Sequence, residues 1–138
     1  MIPRAALLAL ALALPGLAQA QCRLALLLAL DVSSSVDDAE YVLQRDGLAA
    51  ALTDPDIVQA ILSQGGPVAL GAYEWSGRRQ SVRILDWVQV QSRAEIEAAA
   101  AQIAGARRSY RRFPTALGYA LGYGATMMRD APVCERQV

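Results

Sequence analysis

Leu24-Ala25-Leu26-Leu27-Leu28-Ala29-Leu30-Asp31-Val32-Ser33-Ser34-Ser35 is an unbroken apolar run that ends on a carboxylate and turns to hydroxyls. Continuous apolar character from Leu24 to Leu30 fits a strand covered on both faces, as in a parallel sheet. Behind it, Ser35 and Asp38 have the spacing of a capping box that opens a helix. Strand, loop, helix is the predicted order. The fold class that follows is α/β, with an open, mostly parallel sheet flanked by helices.

Working outward, the first helix is predicted to run to about Leu52, with Val36, Ala39, Val42, Leu43, Gly47 and Ala50 on its inner face. Asp54-Pro55 predicts the cap and first position of a short second helix carrying Ile57, Val58, Ile61 and Leu62. Gly65-Gly66-Pro67 then breaks the chain before a second strand, Val68 to Trp75, and Ser81 to Trp87 reads as a third. Ser76-Gly77-Arg78-Arg79 is too short for a helical crossover, so these two strands pair antiparallel. Tyr73, Trp75 and Trp87 are expected to pack within that hairpin.

Ser92-Arg93-Ala94-Glu95 is a second capping box, followed by Ile96, Ala99, Ala100 and Ile103 at helical spacing. A basic loop, Arg107-Arg108-Ser109-Tyr110-Arg111-Arg112, leads to Phe113-Pro114-Thr115 and a last helix to about Met128. Its predicted inner face is Leu117, Ala120, Leu121, Gly124 and Met128. Glycines at 118, 122 and 124 each cost about 1 kcal/mol of helix propensity, which predicts close packing against a neighbour. After Pro132, the residues Cys134 to Val138 read as the entry to another buried strand, so the fold is expected to be incomplete at its C-terminus, stopping before its fourth strand is finished.

Residues 1–20 have the character of a secretory leader: Arg4, an Ala/Leu run, a break at Pro15-Gly16, and Ala18-Gln19-Ala20 as an A-x-A cleavage site. The apolar stretch falls short of the roughly 20 residues of a spanning helix. The mature domain is therefore predicted to be 21–138, periplasmic or secreted, with no membrane span. Losing Arg4 turns 13 basic and 13 acidic residues into 12 against 13, a balance that does not recruit nucleic acid. The chain has no His, which removes Ser-His-Asp and Cys-His catalysis. Cys22 and Cys134 either form a disulfide, which export favours, or stand as two unpaired thiols.

Asp31, Ser33 and Ser35 sit at alternate positions, so in extended chain their oxygens share a side. They fall at the carboxyl end of a strand, where open α/β sheets bind ligands. Carboxylate and hydroxyl oxygens suit a hard cation such as Mg²⁺. An isolated D-x-S-x-S is weak evidence, because Ser and Asp before a helix commonly serve as caps.

The D-x-S-x-S pattern behind a hydrophobic first strand resembles the metal-ion-dependent adhesion site (MIDAS) of von Willebrand factor A (VWA) domains. The wider run ALDVSSSVDDAEYVLQRDGLAAAL, the VALGAYEWSG hairpin and the FPTALGYAL helix resemble a bacterial group of exported, largely uncharacterised VWA-like proteins. The resemblance implies a VWA/Rossmann-like sheet in the order 3-2-1-4-5-6, with strand 3 antiparallel. It also implies metal ligands at Asp31, Ser33, Ser35 and Thr115; the family's further Asp, after the fourth strand, has no counterpart here. In that sheet order Cys22 and Cys134 would lie at neighbouring strand entrances, away from the metal.

One carboxylate among neutral hydroxyls leaves Mg²⁺, or Mn²⁺ or Ca²⁺ in its place, short of negative charge, and a following helix N-terminus adds positive character. Such a site invites a Glu or Asp from a partner protein. Arg107, Arg108, Arg111 and Arg112 are expected either to rim it, favouring an acidic partner, or to form a solvated loop. Two rival readings are a Mg²⁺-dependent phosphoryl-transfer or other hydrolytic enzyme, and a structural domain without metal. Phosphoryl-transfer enzymes of similar arrangement carry a second Asp where this chain has Ser33.

Overall fold

The computed structural model describes residues 21–63 and 65–138, so the leader predicted for residues 1–20 lies outside the described residues. Four strands form one sheet in the order β3-β2-β1-β4: β1 (Cys22–Asp31), β2 (Val68–Trp75), β3 (Ser81–Val90) and β4 (Cys134–Gln137). β1 pairs parallel with β2 and β4, and β3 returns antiparallel along β2. This is the predicted α/β architecture, with the first four strands in the expected order. Every residue of β2 is buried, as befits a strand with neighbours on both edges and helices on both faces.

Alternation along β2 divides the core. Leu70 and Ala72 face α1 (Asp38–Thr53), α2 (Pro55–Leu62) and α3 (Arg93–Ala104), packing with Leu52, Val58, Ile96 and Ile103. Tyr73 and Trp75 face the other way, toward Ala120 and Met127 of α4 (Leu117–Arg129). Among the described residues no helix is long and apolar enough to cross a membrane.

Two helices present faces other than those predicted. α1 buries Tyr41, Ala49 and Leu52, while Leu43, expected inside, is 75% exposed. The cap moves as well: Asp37, not Ser35, takes the Glu40 amide at 2.8 Å, and Glu40 returns the bond to the Asp37 amide. Tyr41 turns inward because its hydroxyl satisfies a carboxylate inside the domain, a constraint the apolar pattern does not carry. α4 buries Ala120, Gly124 and Met127 and leaves Leu117 and Leu121 exposed. The Tyr73 hydroxyl donates to the Ala120 carbonyl at 2.9 Å, and a side chain at Gly124 would meet that same hydroxyl. Only Gly124 therefore has the close neighbour predicted for three glycines; Gly118 and Gly122 face open space.

Cys22 and Cys134 are paired residues at the starts of β1 and β4 and form a disulfide. With the two cysteines 112 positions apart in sequence, the bridge removes a large loop entropy from the unfolded chain. β4 has few other attachments, since three of its four residues are exposed. The double substitution Cys22→Ser, Cys134→Ser is expected to lower unfolding free energy by about 2–5 kcal/mol in urea titrations. In hydrogen exchange it should strip protection from β4 while β2 loses only the global amount; equal loss in both strands would count against this role.

Candidate functional site

The carboxyl end of the sheet is built from three loops that share backbone hydrogen bonds. After β1 the Val32 amide donates to the Trp75 carbonyl at 2.9 Å, extending the ladder by one rung. The chain then tightens: the Ser33 amide donates to Asp31 Oδ1 at 2.7 Å and the Val36 amide to the Ser33 carbonyl at 3.0 Å. The Phe113 carbonyl, on the loop between α3 and α4, accepts the Ser34 amide at 2.8 Å and the Ser76 hydroxyl at 3.2 Å. Ser76, just past β2, also accepts the Ala116 amide at 3.0 Å.

This stitching brings the predicted oxygens together. Ser33 Oγ lies 3.1 Å from Ser35 Oγ and 2.9 Å from Thr115 Oγ1, although Thr115 is 82 residues away in sequence. Ser33 is fully buried, Ser35 and Thr115 are exposed, and Asp31 is half-buried. The cluster thus has a fixed base and an open mouth. Thr115 precedes α4, whose start has no side-chain cap and no acidic residue in its first turn, so the positive end of that helix stays uncompensated beside the hydroxyls. Among the described residues no three His, Cys, Asp or Glu side chains gather as a metal cluster, so oxygen donors here are mainly hydroxyls.

The four arginines of the basic loop do not act alike. Arg108, expected at the rim or in solvent, turns inward, with its side chain only 4% exposed. Its guanidinium donates to the carbonyls of Val32, Ser33 and Val36 at 3.3, 3.0 and 2.6 Å and to Asp38 Oδ1 at 2.9 Å. Where the chain leaves the strand those carbonyls have lost ladder partners, and a planar cation with five donors satisfies several at once. Arg111 joins Asp38 as well. Arg107 and Arg112 remain exposed and form no ion pair among the described residues. Burial opposes charge on Asp38, but the hydrogen bonds from Arg108 and Arg111 outweigh it and hold its carboxyl below the usual carboxylate range. This contact therefore persists at neutral pH and weakens as pH falls through that lowered value.

Sequence reasoning missed Glu74 and Tyr41. Glu74, fully buried on β2, accepts the Tyr41 hydroxyl at 2.7 Å and the Ser109 amide at 2.8 Å, tying the basic loop to the sheet. A lone acid in the apolar segment VALGAYEW was the available signal, since a buried charge needs partners. Burial, and then the bond to Glu74, push the Tyr41 phenol far above its ordinary value. Its share of stability is therefore complete below the ordinary tyrosine range and is lost only at higher pH.

Arg108→Ala is expected to cost about 2–4 kcal/mol in urea unfolding, because it leaves the Val32 and Val36 carbonyls without a donor and frees Asp38 of a charged partner, whereas Arg112→Ala should stay within about 0.5 kcal/mol. Equal effects from the two variants would contradict the clamp. No curated protein matches the chain. The family model described as "Protein of unknown function (DUF1194)" matches residues 21–138, and the chain belongs to that family.

Proposed function

We propose that this is a VWA-like, metal-ion-dependent protein-binding module, exported to the periplasm or beyond, which captures a carboxylate of a partner protein. The observation that carries the reading is the trio of hydroxyls, with Ser33 Oγ 3.1 and 2.9 Å from its two neighbours, beside Asp31 at the end of β1. Octahedral Mg²⁺, with metal–oxygen distances of 2.0–2.1 Å, sets adjacent ligand oxygens about 3.0 Å apart. The hydroxyls already stand at that spacing, so the donor set fits a small hard cation. Ca²⁺, at 2.3–2.6 Å with six to eight ligands, packs its oxygens at smaller angles and accepts a similar spacing.

Asp31, Ser33, Ser35 and Thr115 would hold the ion, Mg²⁺ or, in its place, Mn²⁺ or Ca²⁺. Bound there, it would supply a Lewis-acidic centre short of negative charge. Ser33 orients the set by bonding to both other hydroxyls, and the Ser33 amide holds the Asp31 carboxylate in place. The exposed Ser35 and Thr115 leave the outer side open to a partner's Glu or Asp. Binding is favoured over catalysis on chemical grounds. The chain has no His, and Glu74, the buried carboxylate on β2, is already engaged by Tyr41 and Ser109. The disulfide supports the assignment to an oxidising compartment.

Thermal melts in Mg²⁺ and in EDTA test the site. At 100 times the dissociation constant, Mg²⁺ should stabilise the protein by about 2.7 kcal/mol. Asp31→Ala, Ser33→Ala and Thr115→Ala should each abolish that difference while still melting cooperatively in EDTA. Identical wild-type melts in both buffers, together with no Mn²⁺ uptake by electron paramagnetic resonance, would refute the reading. Mg²⁺-dependent phosphatase turnover lost in Asp31→Asn would replace it with an enzyme.

A further inference from the structure

We infer that the cleft between the β2–β3 turn and α4 receives an acidic peptide segment of the partner, flanking the carboxylate taken at the hydroxyl site; this rests on the binding reading above. The cleft has a volume of about 360 Å³ and is lined by Arg78 and Arg79 of the turn and by Gly118, Tyr119, Gly122 and Tyr123 of α4.

Three observations carry the assignment. The first is continuity. Thr115 lies just ahead of α4, the Ala116 amide bonds the Ser76 carbonyl, and Gly77 sits against Phe113, so the turn that bears the arginines is fastened to the loop that bears the site. A chain leaving the hydroxyl cluster along α4 enters this cleft directly.

The second is charge. Arg78 and Arg79 are exposed and, like Arg107 and Arg112, have no carboxylate partner among the described residues, but they alone of these line the cleft beside α4. The Arg78 guanidinium rests over the Tyr119 ring, 5.5 Å from its centre, a stacking that leaves a guanidinium's edge donors for a carboxylate. At the start of α1, Asp38 is taken up by Arg108 and Arg111, and Asp37 and Glu40 form the capping box. An acidic segment is drawn across α4 by Arg78 and Arg79.

The third is shape. Gly118 and Gly122 lie one helical turn apart with open space where side chains would stand, so a backbone is able to approach the helix closely. Flanking tyrosines supply contact area at small entropic cost.

Isotope-edited NMR on the protein tests this, with N-acetylated hexaglutamate and N-acetylglutamate amide as probes. In Mg²⁺, hexaglutamate should shift the amides of Gly118 and Gly122. The double variant Arg78→Gln, Arg79→Gln should weaken hexaglutamate about tenfold or more, roughly one charge-assisted contact, and leave N-acetylglutamate amide unaffected. Arg136→Gln, an exposed arginine on β4, should change neither. Hexaglutamate that still shifts Gly118 and Gly122 in EDTA, with N-acetylglutamate amide binding under no condition, would support the cleft while removing the metal. Mg²⁺-dependent binding that Thr115→Ala abolishes but the arginine variant leaves intact would overturn the cleft and spare the metal. Equal affinity for a heparin hexasaccharide would also overturn it, by showing an unselective anion surface.

Discussion

A buried guanidinium holds the carboxyl end of this sheet together. Where β1 gives way to the loop before α1, the carbonyls of Val32, Ser33 and Val36 have no ladder partner; the Ser33 carbonyl takes the Val36 amide, and the other two need a donor. Arg108 donates to all three and reaches Asp38 at the start of the helix. The next residue, Ser109, is fixed from the other direction by buried Glu74. A cation on one position and an anion against its neighbour thus fold the α3–α4 loop down onto the sheet, and neither charge is left without partners.

The site geometry depends on that closure. Thr115 comes from the same loop, and only when the loop is down does its hydroxyl meet Ser33. Ser33 is the hub: fully buried, it bonds both exposed hydroxyls, while its amide holds Asp31. A cluster built in this way is preorganised but poor in negative charge, and the uncapped start of α4 beside it adds positive character. Nearby, the hairpin turn carries the basic Arg78 and Arg79, while Asp38 at the start of α1 is paired with Arg108 and Arg111. The opposite end of the sheet carries the disulfide, so the covalent fastening of β4 lies away from the loops that form the site.

Much of this was legible in the residues themselves. The apolar run of β1, the hairpin forced by a short connection, the Ser92–Glu95 capping box and the hydroxyls at alternate positions after Asp31 all express local rules of period, cap and turn. Those rules act over a few residues, which is why element order was anticipated from them, whereas the β3-β2-β1-β4 arrangement and the meeting of Thr115 with Ser33 and Ser35 were implied only by the resemblance to VWA domains.

What the sequence left open was decided by partners distant along the chain. Nothing local separates Arg108 from Arg107, Arg111 and Arg112; only the unsatisfied carbonyls of another loop select it. α1 turned Tyr41 inward rather than Leu43 because Glu74, 33 residues later, requires a donor. α4 packs on Ala120, Gly124 and Met127 because the Tyr73 hydroxyl takes the Ala120 carbonyl and fills the space beside Gly124. Hydrophobic periodicity measures the average preference of a face for water, whereas a single buried polar group must find its hydrogen bond, and that stronger demand is set only when the chain has folded.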